Sequence, residues 1–490
     1  MSRRFHVLFS VPRDADVNVL RADATFGRST MIRGRPRVPH RALIIARERQ
    51  GRAGLVPARR HDVRHALFVA FHFPPEASSS GVLRTLKYAR YLAQYDWRVT
   101  VVAPRADAYS AVDPQLEAQI VAPVRVVRTR WLNTKKHLAF RGHYPALLAL
   151  PDPWIGWLPW GVAAGRAVLR GDPPEVLYST SPHATAHLIA FALARISSLP
   201  WIADFRDPWY EETPEPGAPS GALYRRINRG LERRVIERCS HVVTTTEHLR
   251  DELRARYSEV RPEKFSSIPN GYDEADFASS PPPRPPGERM VVVHTGSLNA
   301  EFRDPRPLFR SIGRLATLGA VDPRRIALRF VGGGDYGNSS EVRRAVAESG
   351  LEGSVQFIER VPFDEALREV AAADLLLLLQ ASADTTGLVP AKLYEYLRAQ
   401  RPVLALVYAG ASTEVIAGTG GGWAIDPRDE RALDATVEVA YKSWITCTLN
   451  ARLADLDALR RFDRKSLAET LARLFDDAHS GRGVFSSGTD

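Results

Sequence analysis

The chain has 490 residues, 44% hydrophobic and 25% charged, and a net charge of +11. That length suits two ordinary domains with some left over, each able to bury its own core. The longest aliphatic run, Leu375 to Leu379, is far short of the ~20 residues of a membrane-spanning helix, and two cysteines, Cys239 and Cys447, are too few for a disulfide scaffold or a cysteine-built zinc site.

The first sixty residues hold 14 arginines against Asp14, Asp16, Asp23 and Glu48, whereas the rest of the chain carries 53 basic and 52 acidic residues. The high charge therefore belongs to a tail, and the body is nearly neutral. Of the 67 basic residues only seven are lysine, a bias that fits genome composition better than phosphate binding, which uses both types. No nucleic-acid partner is expected. Residues 1–62 show no sustained period and no convincing secretion signal, so they are expected to be a disordered extension. A basic arm that touches anionic lipid is the functional alternative.

From His65 the pattern changes. Residues 66–71 read as a buried strand, 74–81 as a Pro/Ser/Gly loop, the stretch through Tyr95 as a helix, and 98–103 as a second strand. Apolar runs at 124–127, 176–178, 201–203 and 241–245 alternate with helical stretches such as 184–196 and 222–238. The cluster Pro281-Pro-Pro-Arg-Pro-Pro286 continues neither helix nor central strand. Beyond it strands are expected at 290–295, 326–331, 355–358, 375–379 and 402–407, with helices between them, and helical segments at 430–441 and 451–478 close the chain. Strands that alternate with helices imply parallel sheets covered on both faces. The expected fold class is α/β, two Rossmann-like doubly wound domains facing across a cleft. The boundaries are 63–275, a linker at 276–289, 290–427, C-terminal helices at 428–478 packing back toward the first domain, and a disordered tail at 479–490.

In such sheets ligands bind beyond the carboxyl ends of the strands. Two glycine-bearing loops stand there in the second half, Gly296-Ser-Leu-Asn-Ala-Glu-Phe-Arg303 and Val331-Gly-Gly-Gly-Asp335. Glycine lets the backbone approach a ligand and leaves helix N-terminal amides free for an anion. It also serves tight turns for steric reasons alone. The segment Gly387-Leu-Val-Pro-Ala-Lys-Leu-Tyr-Glu-Tyr396 opens a helix on which Lys392 and Glu395, three apart, share a face. Lys392 is suited to a diphosphate and Glu395 to a ribose diol; an exposed intrahelical ion pair is the competing reading.

Several segments together resemble glycosyltransferase family 4. Phe71-His-Phe-Pro-Pro-Glu-Ala77, Ser79-Ser-Gly81 with Arg84, and Pro200-Trp-Ile-Ala-Asp-Phe-Arg-Asp-Pro-Trp209 are similar to its N-terminal domain, and Ile268-Pro-Asn-Gly-Tyr-Asp273 to its interdomain segment. Gly296-Ser297, Phe330-Val-Gly-Gly-Gly334, Val355-Gln-Phe357 with Arg360-Val-Pro362, and Pro390-Ala-Lys-Leu-Tyr-Glu-Tyr396 with Arg401-Pro-Val403 are similar to its donor-binding domain. The resemblance, over about residues 65–475, implies the GT-B architecture, with an acceptor domain before a donor domain. It implies retaining transfer from a nucleotide-diphosphate sugar, UDP as first expectation, with no cofactor and no essential metal.

It further implies Lys392 and Arg303 on the diphosphate, Glu395 on the ribose and the Arg360-Val361 backbone on the base. The Ser80-Gly81 loop would close over the phosphates, and Gly296 and Gly333 would line the donor. Arg206 and Asp207 stand where many members have a histidine before an aspartate, and are candidate catalytic groups. Where the family has a second glutamate, eight residues before Glu395, this chain has Gly387, with Thr386 beside it and Asp384 as the nearest acid. His183 and Asp204 are the acceptor candidates. His183 and His187 are one turn apart, but no third metal ligand accompanies them. Asp455-Leu-Asp457 lies in a helical stretch, away from a strand end, and is discounted as a metal pair.

Two surfaces could meet a lipid-linked acceptor. Arg225, Arg226, Arg229, Arg233, Arg234 and Arg238 decorate a helix with an apolar stripe of Leu223, Ile227, Leu231 and Val235. Trp154, Trp157 and Trp160, flanked by Lys135, Lys136 and Arg141, could rest at a bilayer interface or form a cleft wall. The expected role is transfer of a hexose or amino sugar to a glycan or lipid-linked acceptor in bacterial surface-polysaccharide synthesis. The expected location is cytoplasmic, with peripheral contact at the inner face of the plasma membrane as an option. A sugar-nucleotide epimerase or hydrolase of the same fold, or a non-catalytic nucleotide-sugar-binding subunit, are the alternatives. A chain that starts at Val63 is expected to keep its fold and its nucleotide binding; loss of both on truncation would make the arginine-rich segment part of the core.

Overall fold

A computed structural model describes residues 63–77, 79, 81–138, 146–209, 221–278 and 287–481. The 1–62 extension, Ser80, Arg141, the proline cluster and residues 482–490 lie outside the described residues.

Seven strands form the first sheet: β1 (Arg64–Ala70), β2 (Trp97–Pro104), β3 (Arg125–Thr129), β4 (Val176–Thr180), β5 (Trp201–Phe205), β6 (His241–Thr244) and β7 (Phe265–Ser267). They run parallel in the order β3-β2-β1-β4-β5-β6-β7. The second sheet holds β8 (Met290–Thr295), β9 (Ile326–Val331), β10 (Val355–Ile358), β11 (Leu375–Gln380), β12 (Val403–Val407) and β13 (Gly422–Ile425). It too is parallel, in the order β10-β9-β8-β11-β12-β13. The strand order turns between β1 and β4 in one sheet and between β8 and β11 in the other, and at each switch point the loops diverge and open a crevice.

Near-continuous apolar runs make these strands because both faces are covered. On one face of the first sheet Leu67, Val69 and Leu177 pack with Val168, Ile189 and Leu193 from helices Leu158–Gly171 and Ala184–Ser197. On the other, Phe68 and Tyr178 pack with Leu86 of helix Gly81–Tyr91 and with Leu471 and Phe475 of the final helix Arg464–Ser480. The second sheet has the same two-sided arrangement, with Leu308, Ile312, Val437 and Trp444 on one face and Leu393, Tyr394, Leu397 and Phe462 on the other.

Several elements differ from expectation. The helix after β1 ends at Tyr91, followed by a 3-10 turn and Asp96 at φ 60°. The edge strands β7 and β13 are too short to register as periodic runs. Helix Glu430–Ile445 packs on the second domain through Val437 and Trp444, so only the last helix reaches back to the first. The expected helix 451–478 is broken at 460–463. Leu459 and Phe462 still belong to the second core, Leu467 and Leu471 to the first, and the chain crosses between domains there. Tyr272 N–H bonds the Phe462 carbonyl at 3.1 Å, and Tyr272 bridges Asp463. On helix Ala222–Arg238, Leu223 is exposed and the buried positions include Asn228, Glu232 and Val235, so the apolar stripe is only partly right.

The cleft floor is pinned by a buried ion pair. Arg84 meets the Asp204 carboxylate through Nε (3.1 Å) and Nη2 (2.9 Å), and its guanidinium also donates to the Ile268 and Pro269 carbonyls at 2.9 and 2.8 Å. Tyr178 and Thr180 hydroxyls complete the shell of Asp204 at 2.5 and 2.9 Å. Burial pushes the Asp204 carboxyl up, but Arg84 and Tyr178 outweigh it and hold it below the usual carboxylate range. Removing one partner of such a pair leaves an uncompensated buried charge. Arg84→Met is therefore expected to cost about 3–5 kcal/mol in urea unfolding; a loss under about 1 kcal/mol would show the pair to be dispensable.

Candidate functional site

In the second domain the site is built at the end of β8. Gly296 has φ +103°, a region that glycine favours, and a Cβ there would lie 2.5 Å from Lys392 Nζ. The missing side chain lets the lysine reach the strand end, where it donates to the Thr295 carbonyl. The fully buried Tyr396 hydroxyl accepts from Thr295 N–H at 2.8 Å and shares a hydrogen bond with its Oγ1 at 3.0 Å, fixing the Lys392 helix against β8. Arg303 is delivered by a turn that Asn299 closes, its Oδ1 accepting from Phe302 and Arg303 N–H at 2.9 and 3.0 Å. The Arg303 guanidinium donates to Ser297 Oγ at 2.8 Å.

Neither cation has an acidic partner within 4.0 Å among the described residues. Burial pushes the Lys392 ammonium down to about 7, Arg303 adds to the fall, and Glu395 pulls the other way. Burial lowers Arg303 as well. Two close cations without a counter-charge suit a multiply charged anion, and the lysine is poised to gain a proton when one arrives.

Glu395 does not pair with Lys392, so the intrahelical ion pair is not formed. Its one ion-pair partner is Arg464 of the final helix, at 3.8 Å, and no described residue donates a hydrogen bond to it. Burial pushes its carboxyl up, against the pull of Arg464. The result is a largely buried carboxylate with unused acceptor capacity. Gly387 has no steric need for glycine, since a Cβ would meet His248 Cβ at an ordinary 3.5 Å. Its carbonyl accepts from Thr246 Oγ1 of the first domain at 2.6 Å. Thr386 uses its hydroxyl on Ala383 at 3.0 Å, and Asp384 is exposed. Gly333 has ordinary backbone angles and supports the 296–303 loop through its carbonyl; Gly332 and Gly334 take the positive φ angles. Arg360 reaches over to donate to the Ala77 carbonyl, while Val361 packs on the second core.

The first domain supplies the facing wall. A Cβ on Gly81 would collide with the Arg206 guanidinium, so this glycine is what admits Arg206 to the start of helix Gly81–Tyr91. Arg206 is 7% exposed, with Nη1 buried and unpartnered among the described residues. Asp207 lies half-buried on the same bend. The Ser80 assignment lies outside the described residues. Asp204 needs correction: it is fully buried and its oxygens are taken by Arg84, Tyr178 and Thr180, so it is part of the floor and out of an acceptor's reach. His183 does line the crevice, and burial together with His72 and Arg206 holds its imidazole well below its ordinary range. His187 is buried, with Nδ1 on Ser179 Oγ at 2.8 Å and Nε2 without a partner among the described residues. Asp455 caps a short turn.

The sequence reading passed over His72 and Glu76. The pair was visible as His-Phe-Pro-Pro-Glu, four apart, and the fold closes it: Glu76, 1% exposed, lies 3.0 Å from His72 Nδ1. Trp157 is fully buried in the first core with Nε1 on Thr129 Oγ1 at 2.7 Å, while Trp154 packs on Phe71 and His183 at the crevice. Among the described residues no group of three or more His, Cys, Asp or Glu is gathered as a metal ion requires, and no helix is long and apolar enough to cross a membrane.

Comparison with known proteins follows the same division. Residues 80–271 match the glycosyl transferase 4-like domain, and residues 289–443 match glycosyl transferases group 1. No curated protein sequence matches the chain. Among solved structures, Anabaena HepE in complex with UDP superposes with a TM-score of 0.60 at 17% identity, covering 84% of this chain and 100% of that one. Sucrose-phosphate synthase from Thermosynechococcus elongatus gives 0.59 at 14% identity, with 85% and 100% covered, and a glycosyltransferase from Rickettsia africae gives 0.59 at 12%, with 85% and 98% covered. Identities this low speak for the shared fold, while the two family matches fall on the two walls of one cleft, in family order. The chain belongs to the family 4-like glycosyltransferases of GT-B fold.

Proposed function

We propose that this glycosyltransferase moves a hexose or N-acetylhexosamine, with retention and without an essential metal, from a uridine-diphosphate donor to a glycan or lipid-linked acceptor. The setting we propose is bacterial surface-polysaccharide synthesis in the cytoplasm, with peripheral contact at the inner face of the plasma membrane. The observation that carries the donor reading is the pair of unpaired cations at the β8 end, with the unbonded Glu395 carboxylate one helical turn below. The Anabaena protein, of the same fold, was solved with UDP and with UDP-glucose. Retention, metal independence and the pathway rest on the family resemblance.

In this reading Lys392 and Arg303 hold the diphosphate, and their charge offsets the negative charge that grows on it as the sugar leaves. Arg206, unpaired on the opposite wall, adds a third cation when the cleft closes on the donor. Glu395 accepts from the ribose hydroxyls. Gly387 leaves space where the family places a glutamate, so the sugar is held by fewer polar contacts on that side. That departure also favours the second reading, a nucleotide-sugar-binding subunit without catalysis; release of UDP that depends on an added acceptor separates the two.

Lys392→Ala is expected to weaken UDP binding by roughly 10- to 100-fold, the worth of a charge-assisted hydrogen bond, and uridine binding far less. Equal losses for both ligands would make the lysine a helix support. The depressed Lys392 pKa gives a second signature. With a pKa of about 7 the side chain is mostly neutral at pH 8 and must recharge against a diphosphate. UDP affinity should then fall as pH rises through about 7, and calorimetry at pH 8 in buffers of different ionisation enthalpy should record proton uptake that Lys392→Ala abolishes. No uptake by the wild type would count against the assignment. For Glu395, wild type should prefer UDP over 2′-deoxy-UDP, and Glu395→Gln should narrow that gap with little change in melting temperature. An unchanged ratio would leave the carboxylate with Arg464 and remove it from the donor site.

A further inference from the structure

The donor reading leaves the other switch point unexplained. There β1 and β4 diverge beyond Ala70 and Thr180, and the chain places His72 and His183 on the two loops. Their rings stack, with centroids 5.1 Å apart and planes at 24°. Glu76 is buried beneath: one oxygen accepts from Ser79 N–H at 3.1 Å and the other lies 3.0 Å from His72 Nδ1. A carboxylate oxygen accepts, so this contact turns Nδ1 toward Glu76 and leaves Nε2 facing away from it. No described residue partners Nε2, and it is not among the buried unpartnered atoms.

Around this imidazole pair stands an aromatic wall. Phe71 lies edge-on to His183 at 4.4 Å, Trp154 is 4.3 Å from Phe71, and Trp131 is 5.3 Å from Trp154. The wall is braced from behind. Trp131 Nε1 donates to Asp107 at 2.7 Å, and Asp152 accepts from Trp154 N–H at 2.8 Å. Flat apolar faces beside a few fixed polar groups match a molecule with one apolar face and a rim of hydroxyls. A pyranose ring has that form: C–H bonds on its face and hydroxyls at its edge. An imidazole lone pair accepts from a hydroxyl, while it has no attraction for a phosphate oxygen. Burial keeps the His183 imidazole well below its ordinary range, so this ring adds no positive charge that would draw a phosphate.

We infer that His72, held by Glu76, receives the hydroxyl of a sugar acceptor whose ring lies on Trp154, so that the reacting end of the acceptor is a carbohydrate and not a lipid phosphate. This rests on the glycosyl-transfer reading and gives its acceptor a chemical class. Glu76 acts through His72 as a positioning residue.

The experiment uses the full chain with UDP present and saturation-transfer NMR on methyl glycosides of glucose, galactose, mannose and N-acetylglucosamine, with farnesyl phosphate as the lipid-phosphate probe. At least one glycoside should receive saturation. His72→Ala and Trp154→Leu should each weaken its binding roughly tenfold or more, as loss of a hydrogen bond or a stacked face does, with UDP affinity within about twofold of wild type. Glu76→Gln should weaken the glycoside likewise and turn the 15N signature of His72 from a single Nδ1–H tautomer into a mixture, a change that loss of packing alone does not produce. Saturation confined to farnesyl phosphate, silence from every glycoside, or glycoside binding indifferent to His72→Ala and Trp154→Leu would overturn the inference. A wild type that binds glycoside but no UDP would instead overturn the donor reading and leave the sugar site standing.

Discussion

The cleft depends on one guanidinium. Arg84 lies on the helix after β1, yet its partners are a carboxylate at the end of β5 and two carbonyls of the segment that leads to the second domain. Helix, sheet and interdomain connection are therefore tied at a point 3% exposed. The two loops that face the second domain, 72–81 and 206–209, leave from the two ends of this tie. Gly81 then meets the Arg206 guanidinium with no room for a side chain between them. The position of the Arg206 wall is thus a consequence of the floor beneath it. Asp204 was an acceptor candidate, and the same tie explains why it is not one.

Among the described residues, several cations of the scaffold are paired with carboxylates, whereas three beside the cleft are not. Lys87 joins Asp273 and Asp276, Arg98 joins Asp172, Arg256 joins Glu232, and Arg398 joins Glu274. Lys392, Arg303 and Arg206 have no acidic partner among the described residues, and all three sit at carboxyl ends of strands beside the cleft. A cation that is desolvated and left without a counter-charge raises the free energy of the empty protein, as the low Lys392 pKa records. An anion bound between these cations would relieve that cost, so the proposed diphosphate affinity draws on the fold. The hinge network, which joins Lys87, Asp273, Tyr91 and the Tyr272–Asp463 bridge, keeps the two domains within reach of one another.

The two switch points divide the chemistry. The β8/β11 crevice gathers positive charge and one carboxylate, which is what a nucleotide diphosphate presents a need for. The β1/β4 crevice gathers two stacked imidazoles and aromatic faces, with the Glu76 carboxylate turned inward onto His72. Arg360 on Ala77 and Thr246 on Gly387 hold the two crevices opposite each other.

Much of this was legible in the amino-acid order. Alternating buried strands and helices determine two parallel sheets, because only strands covered on both faces read as unbroken apolar runs such as Leu375–Leu379. The glycines at strand ends and Lys392 with Glu395 at helical spacing pointed to the loops that hold Lys392 and Arg303, since backbone conformation and i, i+3 spacing are local properties. Whether a polar residue faces ligand or core is not local. His187, one turn from His183, is buried with its Nδ1 on Ser179, and Asp204 is taken by Arg84, 120 residues away. Glu395 found Arg464 in place of Lys392 because the last helix crosses back between domains, a path no nearby residue encodes. His72 and Glu76 were four apart and in view throughout, but only tertiary structure could bury one, expose the other's Nε2 and set an aromatic wall beside them. Sequence decides which groups are present and how the backbone turns; partners distant along the chain decide which of those groups remain free to act.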